Sequence, residues 1–472
     1  MKLKENHIGP IAAGLGFLSA FGFFLFAYPY HLMRREQMNL FVFDWDYIRQ
    51  TYRGWGWLAS FVSDFLDQFF SLPVVGPLVI ALLLLGIGTA TYRICRHFLG
   101  RWPSLAIAAA FFIWSFFRET ENLYVTRYTV VVLAYLALVL LALRCRKAWL
   151  KPVAAAALIA LAVYPLGSPY NKYYGKAWGW PVIEYDKIIG LDTEVYKENW
   201  DKIIKRQSRK DLRMTEASYC YNLAHAMKGD IGESLFNYAQ KYSNTLFMFI
   251  TTDLSQFSSS MVGEVWYHLG DMTVAEQSAI IGLQASPKHT GARYIKRMAM
   301  VNLASGEQGA AQKYLRLLSG TLFYGKWARQ ILAGNPDPET KAKVEDLQSK
   351  LAEKRTDIVY NANLFRPVLL GLLEANPSND LAHEYLLCYD LLTFDLEHFM
   401  EDYRPETDTA TLYHEAVLIW LDSQGQLSQE NAAKYGVSSS TLNRLGRFMR
   451  YPENYRNTYW YYFTAEMNRQ LQ

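Results

Sequence analysis

The chain has 472 residues, of which 51% are hydrophobic and 15% aromatic, and its formal net charge is +4. A length of this order fits about three domains of ordinary size. The 4 cysteines are too few for a disulfide scaffold, and no Cys-x-x-Cys motif or Cys/His cluster indicates a metal site.

Hydrophobic runs without a charged residue fill the first part of the chain, and none of comparable length follows. A bilayer core of about 30 Å is crossed by roughly 20 apolar helical residues, a length that three of the runs reach. The two shorter runs are bracketed by arginines, whose side chains can reach the interface and lengthen the effective span. We therefore predict five transmembrane helices in residues 1–171 and a water-soluble part in residues 172–472. The predicted spans are 8–30, 68–92, 102–117, 128–143 and 152–171.

The distribution of lysine and arginine predicts the orientation of this bundle. These residues precede the first span and fill the connections 93–101 and 144–151, and short basic connections stay in the cytoplasm. Arginines in the 31–67 connection oppose this orientation, but acidic residues there offset them. We predict a multi-pass protein of the inner (cytoplasmic) membrane, with a cytoplasmic N-terminus and a C-terminal part that is periplasmic or otherwise extracytoplasmic.

A recurring unit in residues 172–472 predicts helical repeats. Each unit is a helix, a glycine followed by an acidic residue, and a second helix rich in small and aromatic residues. The glycines are Gly229, Gly270 and Gly306, a spacing close to the period of about 34 residues in tetratricopeptide arrays. Glycine can take the left-handed conformation that ends a helix, and the acidic residue can cap the next one. The predicted fold is all-α, a five-helix transmembrane bundle followed by an irregular helical-repeat domain.

Two stretches resemble degenerate tetratricopeptide units, namely 267–287 (Tyr-x-Leu-Gly-Asp…Ala-Glu-x-x-Ala…Pro) and 311–315 (Ala-x-Lys-Tyr-Leu). Taken whole, the chain resembles a group of uncharacterised multi-pass proteins of Bacteroidota, which join a short membrane bundle to an outer helical-repeat half. Segments 35–41, 65–78 and 313–328 carry this resemblance. It implies the architecture described above and implies no chemistry.

The first outer loop holds the sharpest candidate for a catalytic site. Asp44 and Asp46 flank Trp45, and sugar transferases that use lipid-linked donors often keep an acidic residue in this loop. A carboxylate there can act as a general base or hold a divalent metal on the donor phosphate. Arg49 can pair with that phosphate, while Trp45 and Trp55 can stack on a sugar. However, aromatic residues also concentrate at membrane interfaces without any catalytic role, and such transferases usually have more than five spans.

Residues 431–444 resemble the helix–turn–helix of DNA-binding proteins, with Gly436 at the turn and 438–444 opening a recognition helix. A helix that ends at glycine and a next helix that is capped by Ser438 explain the same pattern without DNA. The predicted orientation also places this segment away from DNA. We expect no nucleic-acid partner.

The predicted role is a membrane-anchored helical-repeat scaffold without intrinsic catalysis. Its partners are the lipid bilayer and a protein on the outer side, bound on a concave surface. Tyr221, Tyr267 and Tyr314 are the expected contact residues, although they could equally pack between helices. The alternative is a glycosyl- or phospho-transferase-like membrane protein that uses Asp44 or Asp46. No cofactor is expected, apart from a divalent metal under that alternative.

Two features of the C-terminal part have two explanations each. The aromatic residues of 455–463 either cover the open end of the last repeat or form a binding patch. Cys220 and Cys388 either form a bridge or remain separate buried thiols. We favour capping for the first feature and separate thiols for the second.

Overall fold

The computed structural model describes residues 8–54, 56–121, 126–144, 183–207, 215–249, 256–351 and 363–470. Within those ranges the chain is helical and contains no β-strand, which confirms the all-α class. The first helices are α1 (Ile8–Gly22), α2 (Pro29–Gln37), α3 (Trp45–Thr51), α4 (Trp57–Asp67), α5 (Val75–Phe98), α6 (Arg101–Glu119) and α7 (Thr126–Arg144). The later helices are α8 (Ile183–Tyr196), α9 (Trp200–Arg206), α10 (Thr215–Lys228), α11 (Ile231–Ser234), α12 (Gln256–Leu269), α13 (Met272–Ala285), α14 (Ala292–Ala304), α15 (Gln308–Ser319), α16 (Gly325–Leu332), α17 (Pro338–Lys350), α18 (Phe365–Ala375), α19 (Asp380–Leu392), α20 (Leu396–Asp402), α21 (Thr411–Ser423), α22 (Gln429–Lys434), α23 (Ser439–Phe448) and α24 (Tyr459–Gln470).

The chain forms two compact units. Unit 1 consists of Met1–Gly190, Ser286–Lys296 and Gln312–Asp337. Unit 2 consists of Leu191–Ala285, Arg297–Ala311 and Pro338–Gln472. Unit 1 therefore includes two later segments of the chain. The predicted domain boundary at residue 171 lies outside the described residues.

Three described helical segments are long and apolar enough to cross a membrane, namely Ile8–Ala27, α5 and α7. They indicate a membrane protein, but with three candidate spans in the described ranges instead of five. The third predicted span forms α6, which is less apolar because Arg101, Arg118 and Glu119 fall within the helix. The fifth predicted span, 152–171, lies outside the described residues.

Helix α5 lies at the centre of the apolar core of unit 1. It packs against α1, α6 and α7, and its buried Ile80 and Leu84 join Phe24 in one core cluster. A π-helical turn, Phe23–Ala27, continues α1. Pro29 then opens α2, because a residue without an N–H is tolerated in the first helical turn. The chain between α1 and α5 carries the polar side chains of the candidate site.

Unit 2 contains closely packed helix pairs, α9 with α10, α12 with α13, and α18 with α19. The predicted turn glycines have left-handed backbones, with φ of 72° at Gly229, 93° at Gly270 and 75° at Gly306. A side chain at Gly270 would also place its Cβ 2.8 Å from Cβ of Lys350. Glycine is thus required at that turn both for its conformation and for space.

The acidic residues after these glycines do not all act as predicted. Asp271 caps α13, because its Oδ1 accepts a hydrogen bond from the Val274 N–H at 2.9 Å. Asp230 makes no such cap. Its Oδ1 lies 2.9 Å from Nδ1 of His225 in the preceding helix. The carboxylate of Asp230 therefore ties the turn to the helix before it.

Candidate functional site

The two acidic residues predicted as catalytic lie at the start of the short helix α3. Asp44 is the N-cap, and its Oδ1 accepts a hydrogen bond at 2.8 Å from the backbone N–H three residues on. Asp46 is exposed in the first turn, where the helix dipole favours negative charge. Trp45 is 69% exposed, and Cζ of Arg49 lies 5.8 Å from the centroid of its ring. These predicted residues therefore share one exposed helix, and Trp55 lies outside the described residues.

Helix α4 carries the buried acidic residues of the first loop. Ser60, Ser63, Asp64 and Asp67 are all buried, and their spacing of three and four places them on one side of the helix. We call these four residues the α4 polar face. A helix on the surface of a soluble protein has the opposite arrangement, with its polar side facing water. The α4 polar face is the candidate functional site of unit 1.

Three side chains from elsewhere in unit 1 hold Asp64. Its Oδ1 accepts a hydrogen bond from Nδ2 of Asn39 at 3.0 Å, and its Oδ2 accepts one from the Tyr52 hydroxyl at 2.8 Å. Nζ of Lys288 donates to the same Oδ2 and lies 4.9 Å from the centroid of the Tyr52 ring. Burial raises the pKa of Tyr52, and the negative charge of Asp64 raises it further. The Tyr52 hydroxyl therefore keeps its proton and remains a donor.

The backbone of Lys288 is left-handed, with φ of 55°. This conformation costs a non-glycine residue roughly 1–2 kcal/mol. Such positions persist where surrounding contacts determine them, and they concentrate at functional sites. In this conformation the side chain of Lys288 pairs with Asp64, whose side chain is 5% exposed.

A second buried group joins α2, α6 and α7. Arg35 donates from Nη1 to Oε2 of Glu119 at 2.6 Å, and from Nη2 to the Glu119 carbonyl oxygen at 2.7 Å. The Thr129 hydroxyl donates to the other carboxylate oxygen of Glu119. The Thr126 hydroxyl donates to Oδ1 of Asp67 at 2.6 Å. This group therefore contacts the α4 polar face through Asp67.

The two groups have a common electrostatic character. Burying a charge costs several kcal/mol unless a partner and hydrogen bonds compensate it, and here cations from α2 and from residues 286–296 supply the partners. The arrangement fixes the first loop against the helices of unit 1, with each of these carboxylates beside its cation.

In the parts of the chain that the structure describes, no three His, Cys, Asp or Glu side chains are grouped so as to hold a metal ion.

The tyrosines predicted as contact residues do not lie together on a surface. Tyr221 and Tyr267 are 2% and 1% exposed inside unit 2, so both pack between helices. The ring of Tyr221 meets that of Tyr238 edge to face, with 5.4 Å between centroids. Tyr314 is half-buried and belongs to unit 1.

Tyr267 is part of a buried charged cluster in unit 2. Cζ of Arg297 lies 3.6 Å from the centroid of the Tyr267 ring, and Nη2 of Arg297 donates to Oε2 of Glu264 at 2.5 Å. Nζ of Lys343 lies 3.3 Å from Nδ1 of His268. Burial lowers the pKa of His268 well below its usual value, and the charge of Lys343 lowers it further. His268 is therefore a neutral packing residue at physiological pH.

Two segments of the chain, residues 5–175 and 171–466, match the model of a family described as a family of unknown function (DUF6057). The chain belongs to this family. It matches no curated protein and no solved structure.

In this DUF6057 member, the segment 431–444 that resembles a helix–turn–helix has the local backbone features of that pattern. Gly436 between α22 and α23 has φ of 75°, and Oγ of Ser438 accepts a hydrogen bond from the Thr441 N–H at 3.3 Å. Nη1 of Arg444 lies 3.2 Å from Oε1 of Glu415. This arginine of the supposed recognition helix therefore contacts a carboxyl group within unit 2.

Two of the C-terminal aromatic residues and the two predicted thiols are buried in unit 2. Tyr459 is 0% exposed and Trp460 is 1% exposed, and Nε1 of Trp460 donates to the carbonyl oxygen of Glu415 at 2.9 Å. These two residues therefore pack in the interior of unit 2. Cys220 and Cys388 are buried free thiols.

The α4 polar face was not anticipated from the sequence, although a signal for it exists. Polar residues recur at positions 60, 63, 64 and 67 within an otherwise apolar stretch, which is the period of one helix face. That pattern identifies the face. It does not identify Arg35, Glu119 or Lys288 as its surroundings.

Proposed function

We propose that this protein is a membrane-anchored helical scaffold, in which unit 1 holds the chain in the bilayer and unit 2 binds a protein partner of the cell envelope. The apolar helices of unit 1 support the anchor. The observation that carries the scaffold is the presence in unit 2 of packed helix pairs, one of which, α12 with α13, is joined by a turn at the left-handed Gly270. Stacked pairs of the tetratricopeptide type form extended binding surfaces without catalytic residues.

The roles of the acidic residues agree with a scaffold. Asp44 caps a helix, and the buried carboxylates of Asp64 and Glu119 are held by Lys288 and Arg35. Removing one partner of a buried pair is strongly destabilising, so these residues contribute to the structure of unit 1. A structural role accounts for each of them without a reaction.

The surface that we assign to the partner lies at the end of α23. Met449 is 61% exposed and Tyr451 is 66% exposed, and the neighbouring Arg447 and Arg450 are exposed as well. Aromatic residues, methionine and arginine are enriched at protein interfaces. A partner segment with acidic residues beside an apolar side chain complements this surface.

Site-specific photocrosslinking in native membranes tests the scaffold. A photoreactive residue in place of Tyr451 should give one discrete adduct, and the charge reversals Arg447→Glu and Arg450→Glu should remove it. The photoreactive residue in place of Gln424, which is exposed elsewhere in unit 2, should give no such adduct. Equal patterns from the two positions would reject the assigned surface.

The scaffold proposal includes the orientation predicted from the basic connections, with unit 2 outside the cytoplasm of an inner-membrane protein. Paired phosphatase and fluorescent-protein fusions after Gln472 test it. An active phosphatase and a dark fluorescent protein are expected. The reverse result would place the partner in the cytoplasm.

A second candidate is the transfer of a group from a lipid-linked donor. The exposed grouping of Asp44, Trp45, Asp46 and Arg49 on α3 favours it, because a carboxylate, a stacking ring and a cation suit a sugar phosphate. Native membranes that contain the protein and supply its acceptor should then consume an added polyprenyl-phosphate sugar. Asp46→Asn should abolish consumption, and the exposed control Asp422→Asn should not. A wild-type protein that leaves the donor intact would reject this candidate.

A further inference from the structure

Part of the apolar surface of helix α4 faces outward. Leu58, Val62 and Leu66 are four residues apart and lie on the side opposite Ser63 and Asp67. Leu58 is 57% exposed, and Val62 and Leu66 are half-buried. The helix therefore buries carboxylates and exposes hydrocarbon. In water this arrangement would be unfavourable on both sides.

The surroundings of α4 belong to two candidate membrane spans. Its polar face packs against α7, where Nη1 of Arg127 donates to Oγ of Ser60 at 3.2 Å. The chain then leaves α4 toward α5 through a short turn in which Leu72 is 36% exposed and Val74 is 55% exposed. Helix α4 thus lies beside the first turn of one span and shortly before the start of another.

We propose that the outward face of α4 is embedded in the lipid bilayer, with the helix lying within one leaflet. Its 11 residues extend about 16 Å at 1.5 Å per residue, roughly half of the 30 Å hydrocarbon core. It is therefore too short to cross. An amphipathic helix in the membrane interface presents its apolar side to the acyl chains, and α4 presents that side outward.

Continuity with the spans identifies lipid as the occupant of this face. Leu78 and Leu82 on α5 are 36% and 50% exposed, as expected of residues that face acyl chains, and the exposed residues Leu72 and Val74 precede them in the chain. Trp57 begins α4 and is 48% exposed, in keeping with the enrichment of tryptophan at bilayer interfaces. Because the neighbouring spans lie in the bilayer, acyl chains are the apolar environment next to this segment.

An embedded α4 explains why the carboxylates of the α4 polar face point into the protein and meet partners there. Ionisable groups at membrane depth are retained where they point into the protein and meet a partner. Asp64 meets Lys288, and Asp67 accepts a hydrogen bond from the Thr126 hydroxyl. The helix thus forms a cover, with apolar residues toward lipid and carboxylates toward the protein interior.

Spin labelling of the full chain tests the proposal. The four cysteines are first replaced, Cys95 and Cys145 by serine and the others by alanine. Single cysteines then carry a nitroxide at Leu58, Val62, Leu82 or Asn443, in vesicles of phosphatidylethanolamine and phosphatidylglycerol. Collision rates with oxygen, which concentrates in lipid, and with a water-soluble nickel chelate are compared.

We expect positions 58 and 62 to match position 82, with oxygen collisions dominant, and the exposed Asn443 to show nickel collisions dominant. Dominant nickel collisions at 58 and 62 would place α4 in water and overturn the proposal. Low rates with both reagents at 58 and 62 would also overturn it, because they would show a protein or a second copy covering the face. The result is independent of whether unit 2 binds a partner.

Discussion

Arg35 donates hydrogen bonds both to the carboxylate and to the main-chain carbonyl oxygen of Glu119, at 2.6 and 2.7 Å. The contact joins α2 to the end of α6. The carboxylate of Glu119 has no exposed area, and the Arg35 side chain is 9% exposed. A guanidinium that binds both a side chain and a helix end fixes the position of that end as well as neutralising the charge.

Breaking this pair should destabilise unit 1 strongly. Arg35→Met leaves the Glu119 charge buried without its cation, a loss of about 3–5 kcal/mol, measured as a fall in the thermal unfolding midpoint in detergent. The double variant with Glu119→Gln should recover part of the loss. Arg456→Met is the control, because it breaks a pair with Glu453 whose side chains are 69% and 64% exposed, and an exposed pair of this kind contributes little to stability. Equal losses would contradict burial of the Arg35 pair.

A glycine-to-alanine substitution should destabilise unit 2 at one helix position and stabilise it at another. At Gly263 in α12 an added Cβ would lie 2.9 Å from Cβ of Ser278, so alanine should overpack α12 against α13 and cost about 1–3 kcal/mol. At Gly371 in α18 no atom lies within 4 Å of the added Cβ. Alanine there should stabilise by about 0.5–1 kcal/mol, because it restricts the unfolded chain. Denaturant unfolding measures both, and the same sign at both positions would contradict the packing described.

Glu415 should make unit 2 less stable as the pH rises. Burial raises the pKa of its carboxyl from 4.5 to about 7, although the Tyr459 N–H and the charge of Arg444 oppose the shift. The folded state thus binds this proton more tightly than the unfolded state. The contribution is full below about pH 4.5 and is lost as the pH passes about 7, a change of about 3 kcal/mol.

Thermal unfolding at pH 5 and pH 8 measures this effect. The wild type should lose more stability between the two values than Glu415→Gln, whose side chain does not titrate. Buried acids such as Asp390 remain in both proteins, so the difference between the two slopes isolates position 415. Parallel slopes would show that Glu415 is ionised in the folded protein.

Cys220 and Cys388 should be unreactive in the folded protein and reactive after unfolding. Both are buried free thiols, and burial raises the pKa of Cys388, which lowers its thiolate fraction. In a variant with Cys95→Ser and Cys145→Ser, a maleimide mass tag should add to neither thiol in detergent. In denaturant without reductant it should add to both. Tagging that requires a reductant would show a disulfide.

Features that depend on neighbours within a helical turn could be predicted from the sequence. Left-handed backbones at Gly229, Gly270 and Gly306 and the cap at Ser438 follow from local residue types. The number of spans was less predictable, because the helix at 102–117 extends into the charges that flank it. Apolar run length alone does not weigh those charges.

Contacts between distant positions could not be predicted. Asp64 and Lys288 are 224 positions apart, and Arg35 and Glu119 are 84 apart. Composition and periodicity describe which face of a helix is polar, but they do not state which other segment covers it. For the same reason the burial of Tyr267 could not be predicted, because its helical spacing is compatible both with a binding surface and with the interior position that it occupies.

The separation between Asp64 and Lys288 sets an order of events on the ribosome. Helix α4 is synthesised 224 residues before its lysine, a delay of roughly 10–45 s at about 5–20 residues per second. During that interval Asn39 and Tyr52 are the partners of Asp64 that have already been translated. Unit 1 completes its charge pairing only after residues 286–296 have emerged. A nascent chain that stalls earlier is therefore an unfinished membrane protein and a substrate for quality-control proteases.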